Sequence, residues 1–246
     1  MSKIERFFYE MKFRKIAFIG VGVTNTDLIK LFLKKGIQVT ICDRKDPDKM
    51  GDVYNQLKSL GAEFCLGDTY LDTLTDFDVV FRSPGMYFNN PKLADARKKG
   101  VVITSEMEVF FDLCPCKIYA VTGSDGKTTT TTIIAGLLEK SGKKVYKGGN
   151  IGKALLPLIE EINENDAAVV ELSSFQLISM RKSPDVAVVT NLAPNHLDIH
   201  KDMQEYVDSK KNIVLHQNAF SKAVLNLDNE IANSFSDSVR GQLAKF

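Results

Sequence analysis

Ile118-Tyr119-Ala120-Val121-Thr122-Gly123-Ser124-Asp125-Gly126-Lys127-Thr128-Thr129 decides how the rest of this 246-residue chain is read. An apolar run ends abruptly in small polar residues and two glycines. A lysine, five consecutive threonines and the pair Ile133-Ile134 follow. The pattern predicts a buried strand emptying into a tight loop, with a helix directly behind it. In such a loop the backbone N–H groups converge, the helix N-terminus adds its dipole, and Lys127 and Thr128 add an ammonium and a hydroxyl. That set suits a polyphosphate with magnesium. The general phosphate-loop spacing puts a glycine six residues before the lysine, where this chain has Val121. The loop is therefore a shortened form, Gly-x-x-Gly-Lys-Thr. Threonine is a poor helix former because its branched Cβ loses rotamer freedom. The run Thr128 to Thr132 thus reads as chosen for hydroxyls and packing.

Downstream, strands and helices alternate, which predicts a parallel sheet covered by helices. A helix over about 128–140 ends at Gly142, and strand 143–147 runs into Gly148-Gly149-Asn150-Ile151-Gly152. A helix is expected over 153–163, then strand 167–170, which delivers Glu171. Four apolar residues followed by an acid is how a phosphate-loop protein supplies a carboxylate to magnesium; an ordinary strand-end acid is the other reading. Strand 185–190 leads into Asn191-Leu192-Ala193-Pro194-Asn195-His196-Leu197-Asp198. That places His196 at the ligand-binding edge of the sheet, although taken alone it reads as a surface histidine. His200 and His216 lack this placement. A helix over 203–216 carries Tyr206, Lys210 and Lys211, and a strand over 223–227 follows.

Upstream, strand 15–19 runs into Gly20-Val21-Gly22-Val23-Thr24-Asn25, with a helix over 26–35 behind it. The next strand, 38–42, delivers Asp43 beside Arg44, 23 residues after Gly20. A dinucleotide fold places its ribose-binding carboxylate at that spacing, but Asn25 stands where the third fingerprint glycine belongs. NAD is therefore disfavoured, and another nucleotide in the same crevice is expected. Further strands are expected over 63–66, 79–81 and 101–103. Arg82-Ser83-Pro84-Gly85 forms a turn at the carboxyl edge of one of them, either a ligand site or a simple connection. A helix over 106–113 ends the first domain, so the division falls near residue 115: a Rossmann-like domain over 1–115 and a phosphate-loop domain over 116–246.

The composition sets outer bounds. With 44% hydrophobic and 26% charged residues and a net charge of +1, the chain has an ordinary soluble globular composition with no electrostatic case for nucleic acid or membrane surfaces. The first 15 residues mix charge with aromatics and do not form a secretory leader, and no run reaches membrane-span length. A cytoplasmic monomer is the expectation. Cys42 and Cys65 read as small core residues. Cys114-Pro115-Cys116 lacks a partner pair and a nearby histidine, so packing is preferred over zinc or redox chemistry.

Taken together, Gly123-x-x-Gly126-Lys127-Thr128, Gly149-Asn150-Ile151-Gly152, Glu171-Leu172-Ser173-Ser174-Phe175-Gln176-Leu177, Asn195-His196-Leu197-Asp198 and Tyr206-x-x-x-Lys210 resemble the Mur ligase family, motif for motif and in order. Gly20-x-Gly-x-Thr24, Asp43 and Ser83-Pro84-Gly85 extend the resemblance across the first domain. The segment after Glu171 resembles the D-glutamate-adding branch. Another amino-acid-adding branch or a folylpolyglutamate synthase relative is the alternative, and a non-catalytic UDP-sugar-binding piece is a second.

The resemblance implies an ATP-dependent ligase of peptidoglycan biosynthesis, which phosphorylates UDP-N-acetylmuramoyl-L-alanine and lets D-glutamate attack the acyl phosphate. It implies that Gly123, Ser124, Asp125, Gly126, Lys127, Thr128 and Thr129 hold ATP. Thr128 and Glu171 would bind one magnesium and His196 a second, and Lys210 would be carbamylated to orient metal. Lys127, Glu171, His196 and Lys210 would be the catalytic set. Val23, Thr24, Asp43, Arg44, Ser83, Gly85, Asn150 and His196 would contact the UDP-linked substrate. Family members also carry a third domain, for the amino acid, and more of the ATP site than these residues provide. Ligation by these 246 residues alone is therefore not expected.

Overall fold

The computed structural model describes residues 1–195 and 199–246, with the side chain of Val23 excepted. The chain forms two compact units, Met1–Val109 with Leu156–Glu160, and Phe110–Leu155 with Glu161–Phe246.

The first unit contains α1 (Lys3–Met11), β1 (Ile16–Ile19), α2 (Val23–Lys34), β2 (Thr40–Asp43), α3 (Pro47–Met50), α4 (Asp52–Ser59), β3 (Glu63–Leu66), β4 (Val79–Arg82), α5 (Pro91–Lys98) and β5 (Val102–Thr104). Its five strands lie in the order β3-β2-β1-β4-β5, all parallel. β1 is buried at every residue, the pattern of a strand covered on both faces. Phe18 stacks on Phe81 at 4.6 Å, and Phe32 of α2 meets both edge-on. That aromatic cluster seats α2 on the sheet and fixes where its N-terminus points.

Helix α6 (Glu106–Leu113) leads toward the second unit, which contains β6 (Lys117–Thr122), α7 (Lys127–Lys140), β7 (Val145–Gly149), β8 (Ala167–Glu171), α8 (Ser174–Leu177), β9 (Val186–Val189), α9 (Met203–Leu215), β10 (Lys222–Leu225), α10 (Glu230–Ser234) and β11 (Gln242–Lys245). The order is β11-β10-β9-β6-β8-β7, again parallel. β8 thus inserts between β6 and β7. Val121 pairs with Glu171, and Glu171 with Gly149, so three loops open side by side at the carboxyl edge.

The two parallel α/β sheets agree with the sequence reading; several elements differ from it. The expected helix over 153–163 is only a 3-10 turn, Leu156–Glu161, with Pro157 at its start. Proline supplies no N–H and suits only a first turn, and the segment is held by the first unit instead. Leu156 N donates to Glu106 Oε1 at 2.7 Å, and Lys35 pairs with Glu160. Helix α2 begins at Val23, three residues earlier than expected. Helices α1, α3, α4, α5 and α10 and strand β11 have no counterpart in the sequence reading. Cys42 is buried and Cys65 half-buried, as packing residues are, and burial pushes the Cys42 thiol up to about 12. Cys114 and Cys116 are free thiols with Sγ atoms 3.6 Å apart. Among the described residues, no helix is long and apolar enough to cross a membrane, and no group of three or more His, Cys, Asp or Glu residues could hold a metal.

Candidate active site

The loop Gly123–Gly126 joins β6 to α7 and is fixed from three directions. Gly123 has φ +155°, and a Cβ there would meet Thr190 Oγ1, so no other residue fits without moving β9's end. Ser124 N donates to Asn191 O at 2.8 Å, and Asp125 N to Asn191 Oδ1 at 2.8 Å. The Thr190 hydroxyl donates to Asp125 O at 2.6 Å. The Ser124 hydroxyl donates to Ala193 O at 3.0 Å, accepts from Ala193 N at 2.9 Å and lies 2.8 Å from Tyr206 Oη. Gly126, left-handed at φ 76°, caps α7. The result is a rigid concave turn at a helix N-terminus.

Lys127 folds back, and its Nζ donates to Ser124 O at 2.8 Å. Thr128 Oγ1 donates to Glu171 Oε2 at 2.6 Å, and Asn150 Nδ2 to Glu171 Oε1 at 2.9 Å. Both carboxylate oxygens of this buried acid are thus engaged. Gly149 makes the approach possible: its φ is +99°, and a Cβ there would collide with Glu171 O. Asn150 N donates to that same carbonyl at 2.8 Å. A hydroxyl and a carboxylate this close form the oxygen-only donor set that magnesium prefers. Of the five threonines, Thr128 thus uses its hydroxyl on the acid, while Thr131 is fully buried and packs.

Lys210 of α9 is 2% exposed, and its Nζ donates to Thr122 Oγ1 at 3.2 Å and Gly123 O at 3.1 Å. Burial, reinforced by the charge of Lys127 and opposed by Glu171, lowers its pKa to about 7. The structure therefore brings Lys127, Thr128, Glu171, Asn150 and Lys210 around one loop. Thr129 is exposed on the first turn of α7. His196 lies outside the described residues.

In the first unit, Asp43 ends β2 and accepts from Val21 N at 3.2 Å and from Lys45 N at 2.8 Å. It ties the β1–α2 loop to β2. Thr24 is half-buried in the first turn of α2, whose first residue is Val23. Asn25 explains the missing glycine. Its buried Nδ2 donates to Ile19 O and Gly20 O, both at 3.0 Å, and clamps the turn from inside. Arg44 is exposed and 3.7 Å from Asp68; with Asp43, Lys45, Asp46, Lys49 and Gly67 these residues line a cavity of about 590 Å³. Ser83 is half-buried, and Gly85 has open space where a Cβ would stand.

Several organising contacts lie outside the sequence reading. Arg82, fully buried at the end of β4, donates to Met86 O at 2.7 Å and holds the Ser83–Gly85 turn; burial lowers its pKa to about 10. Thr190, Asn191 and Tyr206 hold the phosphate loop, and His200, set aside for its position, is buried beside α8. The partners of Thr190, Asn191, Tyr206 and His200 are distant in sequence, so no local spacing signals these contacts; Arg82 bonds locally, but its residue type gives no sign of burial.

Residues 121–246 match the Mur ligase middle domain, and residues 14–105 match the Mur ligase MurD-like N-terminal domain. The chain belongs to the Mur ligase family. It is 48% identical over 245 residues to a UDP-N-acetylmuramoylalanine–D-glutamate ligase of Ruminiclostridium cellulolyticum, and 49% identical over 236 residues to one from Clostridium kluyveri. These alignments cover 100% and 96% of the chain but 53% and 52% of the relatives. The chain spans about half the length of the curated relatives it matches. Among solved structures it is similar to a Neisseria meningitidis UDP-N-acetylmuramate:L-alanyl-γ-D-glutamyl-meso-diaminopimelate ligase, with a TM-score of 0.61 and 22% identity, covering 95% of this chain and 78% of that one. The fold is therefore that of the Mur ligases, and the two-unit architecture expected from the motifs is present.

Proposed function

We propose that this chain supplies the UDP-sugar-binding and ATP-binding parts of a ligase that joins D-glutamate to UDP-N-acetylmuramoyl-L-alanine in peptidoglycan synthesis. The observation that carries this reading is the 2.6 Å pair Thr128–Glu171 behind a glycine loop that bears Lys127. The names of relatives near half identity support the choice of amino acid. Thr128 and Glu171 fit one magnesium, with His196 as the candidate for a second, and bound ATP would supply the phosphoryl group that activates the substrate carboxylate.

The chain's own contribution is positioning and charge. The N–H groups at the start of α7 face the phosphates, those of Ser124 and Asp125 being committed to Asn191, and Lys127, released from Ser124 O, meets negative charge developing during transfer. Asn150 holds the Glu171 carboxylate in one orientation. Lys210, with its pKa pushed to about 7, presents the neutral amine that carbamylation requires; the modified side chain would be an anion facing the metal. Asp43, Arg44, Thr24 and Val23 hold uridine, with Ser83 and Gly85 near the diphosphate. The protein works in the cytoplasm as a monomer.

Calorimetric titration of the chain with magnesium ATP and with UDP-N-acetylmuramoyl-L-alanine tests this. Lys127→Ala should weaken ATP by about 10- to 100-fold, the worth of a hydrogen bond to a charged group, and leave the UDP ligand unaffected. Asp43→Asn, which keeps one acceptor for the turn, should do the reverse. If ATP binds no variant while Asp43→Asn still weakens the UDP ligand, a non-catalytic UDP-sugar module replaces the ligase reading.

A further inference from the structure

His200 sits at the junction of three parts of the phosphate site and is not among the residues proposed to hold a ligand. Its Nε2 is 2.9 Å from Ser174 Oγ, the first residue of α8, and its Nδ1 is 3.4 Å from Glu205 Oε2 on α9. The ring stacks on Phe175 at 5.1 Å with planes 3° apart, and meets Tyr206 edge-on at 5.5 Å. Glu205 is itself held by Lys201 N at 2.9 Å.

Helix α8 begins three residues after Glu171 and is only four residues long. A single turn cannot sustain its own direction in water, so tertiary contacts must set it. Two ties to α9 do so. Asn212 Nδ2 donates to Leu177 O at 2.9 Å at one end of α8, and His200 holds the other. On α9, Tyr206 and Lys210 are one turn apart. Tyr206 reaches Ser124 Oγ, and Lys210 reaches Gly123 O. A shift of α9 against α8 therefore changes the phosphate loop and the setting of Glu171 together.

We infer that His200 is a positioning residue, a polar clasp that fixes α8 to α9 and thereby holds Tyr206, Lys210, Gly123 and Ser124 in register with Glu171. Its link to catalysis rests on the ligase reading above; the clasp itself does not. Because Asn212 ties the far end independently, loss of His200 loosens one region rather than unfolding the unit.

Two variants separate polar clasping from space filling. His200→Phe keeps a ring for Phe175 and Tyr206 but removes the contacts to Ser174 Oγ and Glu205 Oε2, whereas His200→Gln keeps polar reach and loses the ring. Amide hydrogen exchange on the ligand-free chain is the first readout. His200→Phe should speed exchange at Ser124 and Asp125 and in α8 by about fivefold, the effect of one hydrogen bond on a local opening, and His200→Gln should stay within about twofold of wild type on the same scale. The second readout is magnesium ATP affinity, expected to fall about fivefold in His200→Phe alone. Equal exchange in His200→Phe and wild type would overturn the clasp. So would equal loosening in both variants, which would make the ring a packing element. If the wild-type chain and Lys127→Ala show the same ATP affinity, the ligase reading fails, and exchange alone decides on His200.

Discussion

The corners Ile19–Val23 and Thr122–Lys127 are both strand–loop–helix turns at the carboxyl edge of a parallel sheet, yet they are closed by different means. In the first, β2 borders β1, so the acid facing the loop is Asp43 at the end of the very next strand. In the second, β8 lies between β6 and β7, and the facing acid is Glu171, two strands later in the chain. The first loop is clamped from within by Asn25 on two carbonyls and carries no lysine. The second is clamped from outside by Thr190, Asn191 and Tyr206; Asn191 takes up the N–H groups of Ser124 and Asp125, and Lys127 folds back onto Ser124 O. One strand exchange in the sheet thus replaces an acid tied to the loop backbone by one tied to a hydroxyl and a side-chain amide, the difference on which the proposed sugar and phosphate sites rest.

The largest contrast should come from adding one methyl group to each corner. Gly123→Ala forces a Cβ onto Thr190 Oγ1 at a positive φ, with backbone atoms of Asn191 also close. We expect loss of ATP binding and destabilisation beyond about 3 kcal/mol, the range of severe overpacking with strain. Gly20→Ala is also left-handed, at φ +82°, but its nearest neighbour is the Ser83 hydroxyl at 3.3 Å, which can rotate away. It should cost about 1–2 kcal/mol, the left-handed penalty alone. Urea melts of both variants check the difference; equal costs would show that the second loop is less tightly clamped than its hydrogen bonds indicate.

A middle-sized effect tests the internal clamp. Asn25→Gly restores the fingerprint glycine and removes both hydrogen bonds to Ile19 O and Gly20 O. It should destabilise the first unit by about 1–3 kcal/mol, measured by urea unfolding. It should not create NAD binding, because Asp43 and the loop backbone remain committed to each other. Measurable NAD affinity in this variant would mean that Asn25 is a selectivity filter rather than a clamp.

The corners themselves were legible because strand, loop and helix N-terminus occupy adjacent residues. Gly123, Lys127, Thr128, Glu171 and Asn150 stand at or just beyond strand ends, where side chains of a parallel sheet converge whatever the details. The parts that escaped depend on separation in sequence. Tyr206 meets Ser124 across 82 positions, and His200 meets Ser174 across 26; neither pairing leaves a local pattern. Helix α5 carried a signal that went unread: Asn90 caps it, with its side chain accepting from Lys92 N, and Pro91 starts it. The failed helix over 153–163 shows the converse. Its apolar residues had the right spacing, but Pro157 and the pull of Glu106 on Leu156 N allowed only a short 3-10 turn. Arg82 resembles a surface residue by type, but in the fold it donates to the carbonyls of Ser83 and Met86 and lies over the Phe88 ring.

The smallest effect separates the corners by charge. The second holds a buried lysine, and the pKa of Lys210 is lowered from 10.5 to about 7, first by burial and then by Lys127. Below pH 7 this lysine is charged in both folded and unfolded chains, and the folded state bears the cost of the buried ammonium. Between about pH 7 and 10.5 the folded form has released its proton while the unfolded form keeps it. The unfolded state then binds more protons, so stability must rise with pH across that window. In urea melts with chelator present, wild type should therefore gain stability from about pH 7 to 9 relative to Lys210→Met, which has no proton to lose. Subtracting the variant removes the titration of tyrosines and thiols elsewhere. A flat difference would mean that Nζ stays charged, held by Thr122 Oγ1, Gly123 O and the Glu171 carboxylate. In that case the loop would face a permanent cation, and the neutral amine needed for carbamylation would have to come from ligand binding rather than from the fold.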